Sequence, residues 1–269
     1  MTSRNGRIAQ AFARRGEAGQ AALVPYVTAG FPELDSTGPV LDALVSAGAD
    51  VIELGIPFSD PLADGPTIQA SSFRALQNGM TVERVLREVA TFRDRHDTPL
   101  VLFTYLNPVL RLGADRFTAR AREAGADGLL LTDLPAGTDP ALEETVHGSG
   151  LDLIRLLAPT TSPERIPDVA RGGGGFLYYI SRTGVTGASE RLRHEIGAEV
   201  ARIRELADLP VAVGFGISGP EQARTVAGWA DGVVVGSALI RRLETGGVEG
   251  ARRFVRSLRD AMDEGGAEG

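Results

Sequence analysis

Eight short β-rich runs recur along the chain, with stretches of helical periodicity between them, and this alternation limits the fold more than any other feature. The runs are ALVPYVT from residue 22, DVIELG from 50, PLVLFTY from 99, DGLLLTD from 127, LDLIRLL from 151, GFLYYIS from 175, PVAVGFG from 210 and DGVVVGS from 231. Helical patterns fall at 35–47, 82–95, 114–124, 138–148, 162–171, 190–207, 219–228 and 249–263. Strands alternating with helices predict repeated βα units and a parallel sheet. Three strands share one introduction, in SAGADVIEL, EAGADGLLL and GWADGVVV: a helix ends in Gly or Ala and Asp follows. Glycine just past a helix end releases the chain into the next strand.

Eight units spaced about thirty residues apart, with no low-complexity linker, predict one closed (β/α)8 barrel, a TIM barrel, over residues 1–269. The rival is a Rossmann-like open sheet. It calls for G-x-G-x-x-G after the first strand, where TAGFPELD stands instead. Extra short helices are expected after strands two and eight. In residues 1–20, Ile8, Ala11 and Phe12 recur at helical spacing and predict a helix packed on the barrel. The same stretch is Arg-rich, as a transit peptide is, but lacks the apolar core of a secretory signal. The tail DEGGAEG reads as disordered, with residues 264–269 outside the barrel.

A hydrophobic content of 43% suits a soluble domain with a sizeable core, and the formal charge of −7 argues against a nucleic-acid surface. The absence of cysteine excludes disulfides and thiolate chemistry. No apolar run approaches the ~20 residues of a membrane span, so the cytoplasm is the expected location.

Long intervals follow the second strand, from 50 to 99, and the sixth, from 175 to 210. Active sites of this fold sit on the βα loops, so extra length there marks candidate sites. The first interval opens with VIELGIPFSDPLADGPTIQ. Alternation places Val51, Glu53 and Gly55 on one face of the strand and Ile52 and Leu54 on the other. Both faces of a barrel strand are covered, so Glu53 is expected to be buried. An isolated buried charge costs several kcal/mol, so the group is paired, protonated or functional. Burial raises a carboxyl pKa, which suits a general acid/base near neutral pH. A Glu tied to a helix Arg behind the sheet is the structural alternative. Asp60 precedes a proline and Asp64 a glycine, both ordinary settings for turn-forming aspartates. Three carboxylates with no basic residue from 51 to 73 make a poor salt-bridge patch, however.

His96, His147 and His194 fall on the helical side of the chain, which leaves no transition-metal cluster beside the carboxylates. Magnesium held by the aspartates stays open. SRTGVTGAS (181–189), GFGIS (214–218) and GSALI (236–240) follow strands six, seven and eight. Glycine lets backbone N–H groups approach an anion, and a helix start at Ser237-Ala238-Leu239 aims them, so these loops are candidates for phosphate. Arg182 is the cation within these three stretches, with Arg191 nearby. Tyr26, Ile68, Phe103, Leu130, Tyr178 and Phe215 take inward or rim positions. They read as plain barrel core, or as a pocket for a flat apolar group on a phosphorylated substrate.

ELGIPFSDPLADGPTIQ, with VPYVTAGFP, LFTYLNPVL, LLLTDLP, LAPTTSPERI, YYISRTGVTGA, VGFGIS and GSALI in order, resembles the tryptophan synthase alpha chains along nearly the whole sequence. The resemblance implies a lyase of tryptophan biosynthesis. Its reaction is a cofactor-free retro-aldol cleavage of indole-3-glycerol phosphate to indole and glyceraldehyde 3-phosphate. Glu53 matches the family's general acid/base, Asp64 the carboxylate facing the indole N–H, and Thr186 the loop-six residue that pairs with that aspartate on closure. Tyr178 matches a ring beside the reacting centre and Arg182 a position in the mobile sixth loop. Gly187, Gly216, Gly236 and Ser237 match the phosphate contacts, with Phe215 and Leu130 near the indole. Pro57 and Asp60 match positions facing a pyridoxal-phosphate beta chain in an alpha2-beta2 heterotetramer, the PLP belonging to that partner. Two places depart from the pattern: Phe31 stands in AGFP where Asp is usual, which bears on a rim contact, and AGTDP follows Pro135 in place of an acidic pair.

Overall fold

The structure is a computed structural model that describes residues 6–180, 190–214 and 216–265, without the side chains of 190–195. Its strands are β1 (Ala22–Thr28), β2 (Ile52–Gly55), β3 (Leu100–Thr104), β4 (Gly128–Leu131), β5 (Asp152–Leu157), β6 (Leu177–Ile180), β7 (Val211–Gly214) and β8 (Gly232–Val235). They pair in parallel and in chain order. The sheet closes where β1 meets β8, with Ala22 opposite Gly232 and Pro25 opposite Val235. The closed (β/α)8 barrel read from the sequence is therefore the fold.

Eleven helices are present among the described residues: α1 (Arg7–Glu17), α2 (Thr37–Ser46), α3 (Pro66–Gln77), α4 (Val82–Arg93), α5 (Leu106–Leu112), α6 (Ala114–Glu123), α7 (Pro140–Gly148), α8 (Ile166–Arg171), α9 (Glu190–Leu206), α10 (Pro220–Ala227) and α11 (Ser237–Gly265). Thr81 caps α4 by accepting from the Arg84 N–H at 3.3 Å, and Asp139 caps α7 through Leu142 at 3.1 Å. The extra helix after β2 is α3, a full three turns started by Pro66 at its first position. The extra one after β8 is the first part of α11, which breaks at Gly247 with φ 59°. The helix α5 was not foreseen. α11 also runs further than its sequence pattern: Glu264, assigned to a disordered tail, accepts from Arg224 at 2.6 Å on the helix. Residues 266–269 lie outside the described set.

Ile52, Leu54, Leu100, Leu102 and Leu129 point outward into the layer between strands and helices. The inward set, Ala22, Val24, Val51, Val101, Leu130, Ile154, Phe176, Ala212 and Val234, forms a second cluster. Helix α1 closes the bottom of the barrel, pressing Ile8, Ala11 and Phe12 into that cluster. The Phe12 ring sits 5.2 Å from Phe176, and a Cβ added at Gly232 would lie 2.8 Å from it, so the plug fits only beside a glycine. Burying one such aromatic side chain stabilises the fold by roughly 2–3 kcal/mol.

The recurring Asp after a helix end has a purpose the sequence pattern did not reveal. Asp50 accepts the Leu23 N–H at 2.9 Å, Asp127 the Leu100 N–H at 2.9 Å and Asp231 the Val211 N–H at 2.8 Å. Each ties the start of its strand to the start of the preceding one. Each also holds arginine: Asp50 meets Arg15 and Arg259, Asp127 meets Arg7 and Arg93, and Asp231 meets Arg204. These pairs gather at the bottom of the barrel and leave the opposite mouth free for chemistry.

Candidate active site

β2 is a four-residue strand buried along its whole length, and Glu53 is its inward side chain. The carboxyl group is fully buried, opposite Tyr26 on β1 and Val101 on β3. Among the described residues no helix arginine reaches it and neither carboxyl oxygen has a hydrogen-bond partner. Burial alone pushes the Glu53 pKa up to about 8. The alternative of a structural ion pair is thereby removed, and the group is held ready as an acid at neutral pH.

Asp64 approaches from the loop that leaves β2. The turn is built locally: the Leu62 N–H donates to the Asp60 carbonyl at 2.9 Å and the Asp64 N–H to the Pro61 carbonyl at 3.1 Å. From the first turns of α3, the Gln69 amide donates to the carbonyls of Asp64 at 2.9 Å and Pro61 at 3.3 Å. Burial raises the Asp64 pKa to about 6, against the opposing effect of a hydrogen bond from Tyr105. Tyr105 is a site residue that the sequence reading missed. It stands between β3 and α5, is itself buried, and carries its hydroxyl across to the β2 loop. A Tyr at a strand end on the loop side of the barrel was the available signal, but there it reads equally well as core.

Two tyrosines stand over two glycines at the mouth. A Cβ on Gly55 would lie 2.2 Å from the Tyr26 hydroxyl, and one on Gly214 would lie 2.2 Å from the Tyr178 hydroxyl. Only glycine at the ends of β2 and β7 leaves room for these phenols. Tyr26 meets Phe103 edge-on at 5.1 Å, while Leu130 is fully buried on β4 and Ile68 is buried on α3. The fields of Glu53 and Asp64 both act on Tyr26 and on Tyr178. All four groups therefore share one mouth.

Gly236 directly follows β8 and Ser237 opens α11, while Gly216 follows β7 with φ 78°. Gly236 borders Tyr26, whose Cβ would lie 3.6 Å from a Cβ at Gly236. Arg182, Thr186, Gly187 and Phe215 lie outside the described residues. Of the two residues matched to a partner surface, Asp60 is exposed but Pro57 is buried in this chain's own packing. Leu62, between Asp60 and Asp64, is 90% exposed and is the outstanding apolar side chain of that loop. Phe31, expected on the rim, is instead buried beneath the Arg74 guanidinium at 5.5 Å. The altered stretch after Pro135 is secured by Glu143, which accepts the Gly137 N–H at 2.8 Å and pairs with Arg155 at 2.7 Å. Among the described residues no three His, Asp or Glu side chains are placed to hold a metal.

A closed parallel barrel that buries an unpaired carboxylic acid in its mouth, beside a second carboxylate on the following loop, belongs to the acid–base enzymes of the (β/α)8 class. Comparison with known proteins narrows this. The family model described as tryptophan synthase alpha chain matches residues 12–264. The tryptophan synthase alpha chain of Picosynechococcus sp. is 45% identical over 260 residues, covering 95% of this chain and 98% of that one. That of Citrifermentans bemidjiense is 51% identical over 238 residues, covering 88% and 89%. The crystal structure of tryptophan synthase subunit alpha from Legionella pneumophila superposes with a TM-score of 0.90 at 38% identity, covering 96% and 99%. The chain belongs to the tryptophan synthase alpha chain family.

Proposed function

We propose that the chain cleaves indole-3-glycerol phosphate to indole and glyceraldehyde 3-phosphate in the cytoplasm, with no cofactor of its own. The burial of Glu53, with both carboxyl oxygens unpaired among the described residues, carries this reading. Protonated Glu53 delivers its proton to C3 of the indole ring, leaving positive charge on the ring that ionised Asp64 stabilises through the N–H. The Glu53 carboxylate then takes the proton of the side-chain hydroxyl. The bond between C3 and the hydroxyl-bearing carbon breaks, its electrons return to the ring, and the aldehyde forms. One proton has gone to carbon and one has come from oxygen, so Glu53 ends protonated as it began. Thr186 meets Asp64 on closure and Tyr178 flanks the reacting carbons. Tyr26, Ile68, Phe103, Leu130 and Phe215 hold the indole, while Gly187, Gly216, Gly236 and Ser237 hold the phosphate and Arg182 serves loop closure. Pairing with a PLP-dependent beta chain, as an alpha2-beta2 assembly, completes the reading, with Asp60 and the exposed Leu62 on the partner face. The test is Glu53→Gln: indole release collapses while binding of a phosphate-bearing, non-cleavable analogue persists. Wild-type turnover in that variant would sink the assignment. Assay with and without a beta chain separates a subunit from a self-sufficient lyase.

A further inference from the structure

A chain of buried hydroxyls runs from the mouth of the barrel into α3. The Tyr26 hydroxyl lies 3.3 Å from Thr28 Oγ1, and Thr28 Oγ1 lies 2.7 Å from Ser71 Oγ. Ser71 Oγ donates to the Ile68 carbonyl at 2.9 Å, one turn back in the helix. Each hydroxyl has a single proton. With the Ser71 proton given to a carbonyl, which cannot donate in return, Ser71 accepts from Thr28 and Thr28 accepts from Tyr26. The chain thus has one direction, and the Tyr26 proton points away from the substrate space. Thr28 and Ser71 are almost fully buried, so water does not compete for these bonds.

This direction accounts for an otherwise odd feature of the mouth. Glu53 has a buried phenol across the strand pair, at Tyr26, yet among the described residues neither of its oxygens receives a hydrogen bond. The titratable groups that feel its charge are Tyr26 from β1 and Tyr178 from β6, and Asp64 and Tyr105, from the loops after β2 and β3, act on Tyr26 in turn. The other inward positions are Leu130 on β4, Ile154 on β5, Gly214 on β7 and Val234 on β8. A phenol is the natural donor to a carboxylate, and donation stabilises the charged form.

We propose that Thr28 and Ser71 are positioning residues that hold the Tyr26 proton off the two carboxylates of the mouth. Their role rests on the acid–base reading of Glu53 and Asp64. By occupying the Tyr26 donor, they leave Glu53 free to carry its own proton, and they present an oxygen lone pair of Tyr26 to the substrate.

The experiment is infrared titration of the full-length chain, with the carboxylic-acid bands assigned by their disappearance in Glu53→Gln and Asp64→Asn. In Thr28→Val, which keeps the shape and removes the hydroxyl, Tyr26 donates to a carboxylate and one of the two midpoints falls by about one pH unit. Thr28→Ser restores the wild-type midpoint, and Tyr26→Phe placed on Thr28→Val does the same by removing the donor. Ser71→Ala gives a second route to the same shift, because Thr28 then turns its proton toward Tyr26. Unmoved midpoints in both Thr28→Val and Ser71→Ala overturn the proposal, as does a shift that survives Tyr26→Phe. The bands report protonation whether or not substrate is cleaved. A wild-type chain without lyase activity would therefore count against the functional reading and leave this answer standing.

Discussion

The Tyr105 hydroxyl donates to Asp64 Oδ2 at 3.0 Å while accepting the Ala63 N–H at 3.0 Å, so one phenol holds both a side chain and the backbone of the loop between β2 and α3. Its ring packs on Phe58 at 5.2 Å, which fixes the hydroxyl from the other side. A hydrogen bond to a carboxylate is worth about 1.5–3 kcal/mol. Tyr105→Phe should therefore lower kcat/KM roughly tenfold to hundredfold. It should also raise the Asp64 pKa, moving the acid limb of the pH profile to higher pH. Steady-state kinetics across pH checks both. An unmoved acid limb would show that the ring acts only through packing.

The wild-type profile follows from two carboxyls with opposite requirements. In the proposed mechanism Asp64 acts ionised, and burial has raised its pKa to about 6; Glu53 begins protonated, and burial has raised its pKa to about 8. The kcat/KM profile is expected to be a bell with its limbs near those values. Asp64→Asn should remove the acid limb from the residual activity and leave the alkaline limb in place. A profile flat from pH 5 to 9 would contradict the assignment of roles.

The same burial has a cost in stability. A carboxyl whose folded pKa lies above its unfolded value near 4.5 favours folding less and less as pH rises between the two. Below the unfolded value the group is neutral in both states and the loss disappears. Glu53→Gln should therefore be more stable than wild type by about 4 kcal/mol at pH 8, with the gap closing toward pH 4.5. Urea unfolding of both proteins at several pH values reads this directly. A constant gap would mean that Glu53 does not change its charge on folding.

At the end of β2, a single methyl group tests the packing of the mouth. Gly55→Ala places a Cβ 2.2 Å from the present position of the Tyr26 hydroxyl, so either the ring swings or the strand shifts. Overpacking of this kind costs about 1–3 kcal/mol. The variant should fold with reduced stability and lose most of its activity, because the displaced ring moves into the substrate space. Thermal unfolding and an indole-release assay together decide it. Full activity would place Tyr26 outside the working site.

The barrel was legible because its signals are local and repeated. β1 occupies residues 22–28 as read: all seven are buried, and a turn in which the Phe31 N–H donates to the Thr28 carbonyl ends the strand. α5 was not legible: seven residues with Pro108 in their midst carry too little periodicity to separate from a loop. Glu53 was legible because a charge inside an apolar run is anomalous on its face. Tyr105 and the pair Thr28 and Ser71 were not, since their importance lies in partners 41 and 43 residues away, and nothing local marks it. Phe31 was misjudged for a related reason. Arg74, which covers it, arrives on α3 from outside its own loop.

Leu62 offers the test of assembly. It is 90% exposed on a loop whose neighbours Pro57 and Asp64 are turned into the chain's own packing, and its backbone is fixed by the Leu62 N–H bond to the Asp60 carbonyl. A side chain this exposed contributes little to the fold, so Leu62→Asp should change stability by no more than about 0.5 kcal/mol. If the loop is the partner face, the same change puts a charge into a desolvated contact and should weaken binding of a PLP-dependent beta chain at least tenfold, roughly 1.4 kcal/mol. Calorimetric titration of the two chains measures the affinity, and thermal unfolding of the variant alone measures the control. Unchanged affinity with an unchanged fold would move the partner face away from this loop.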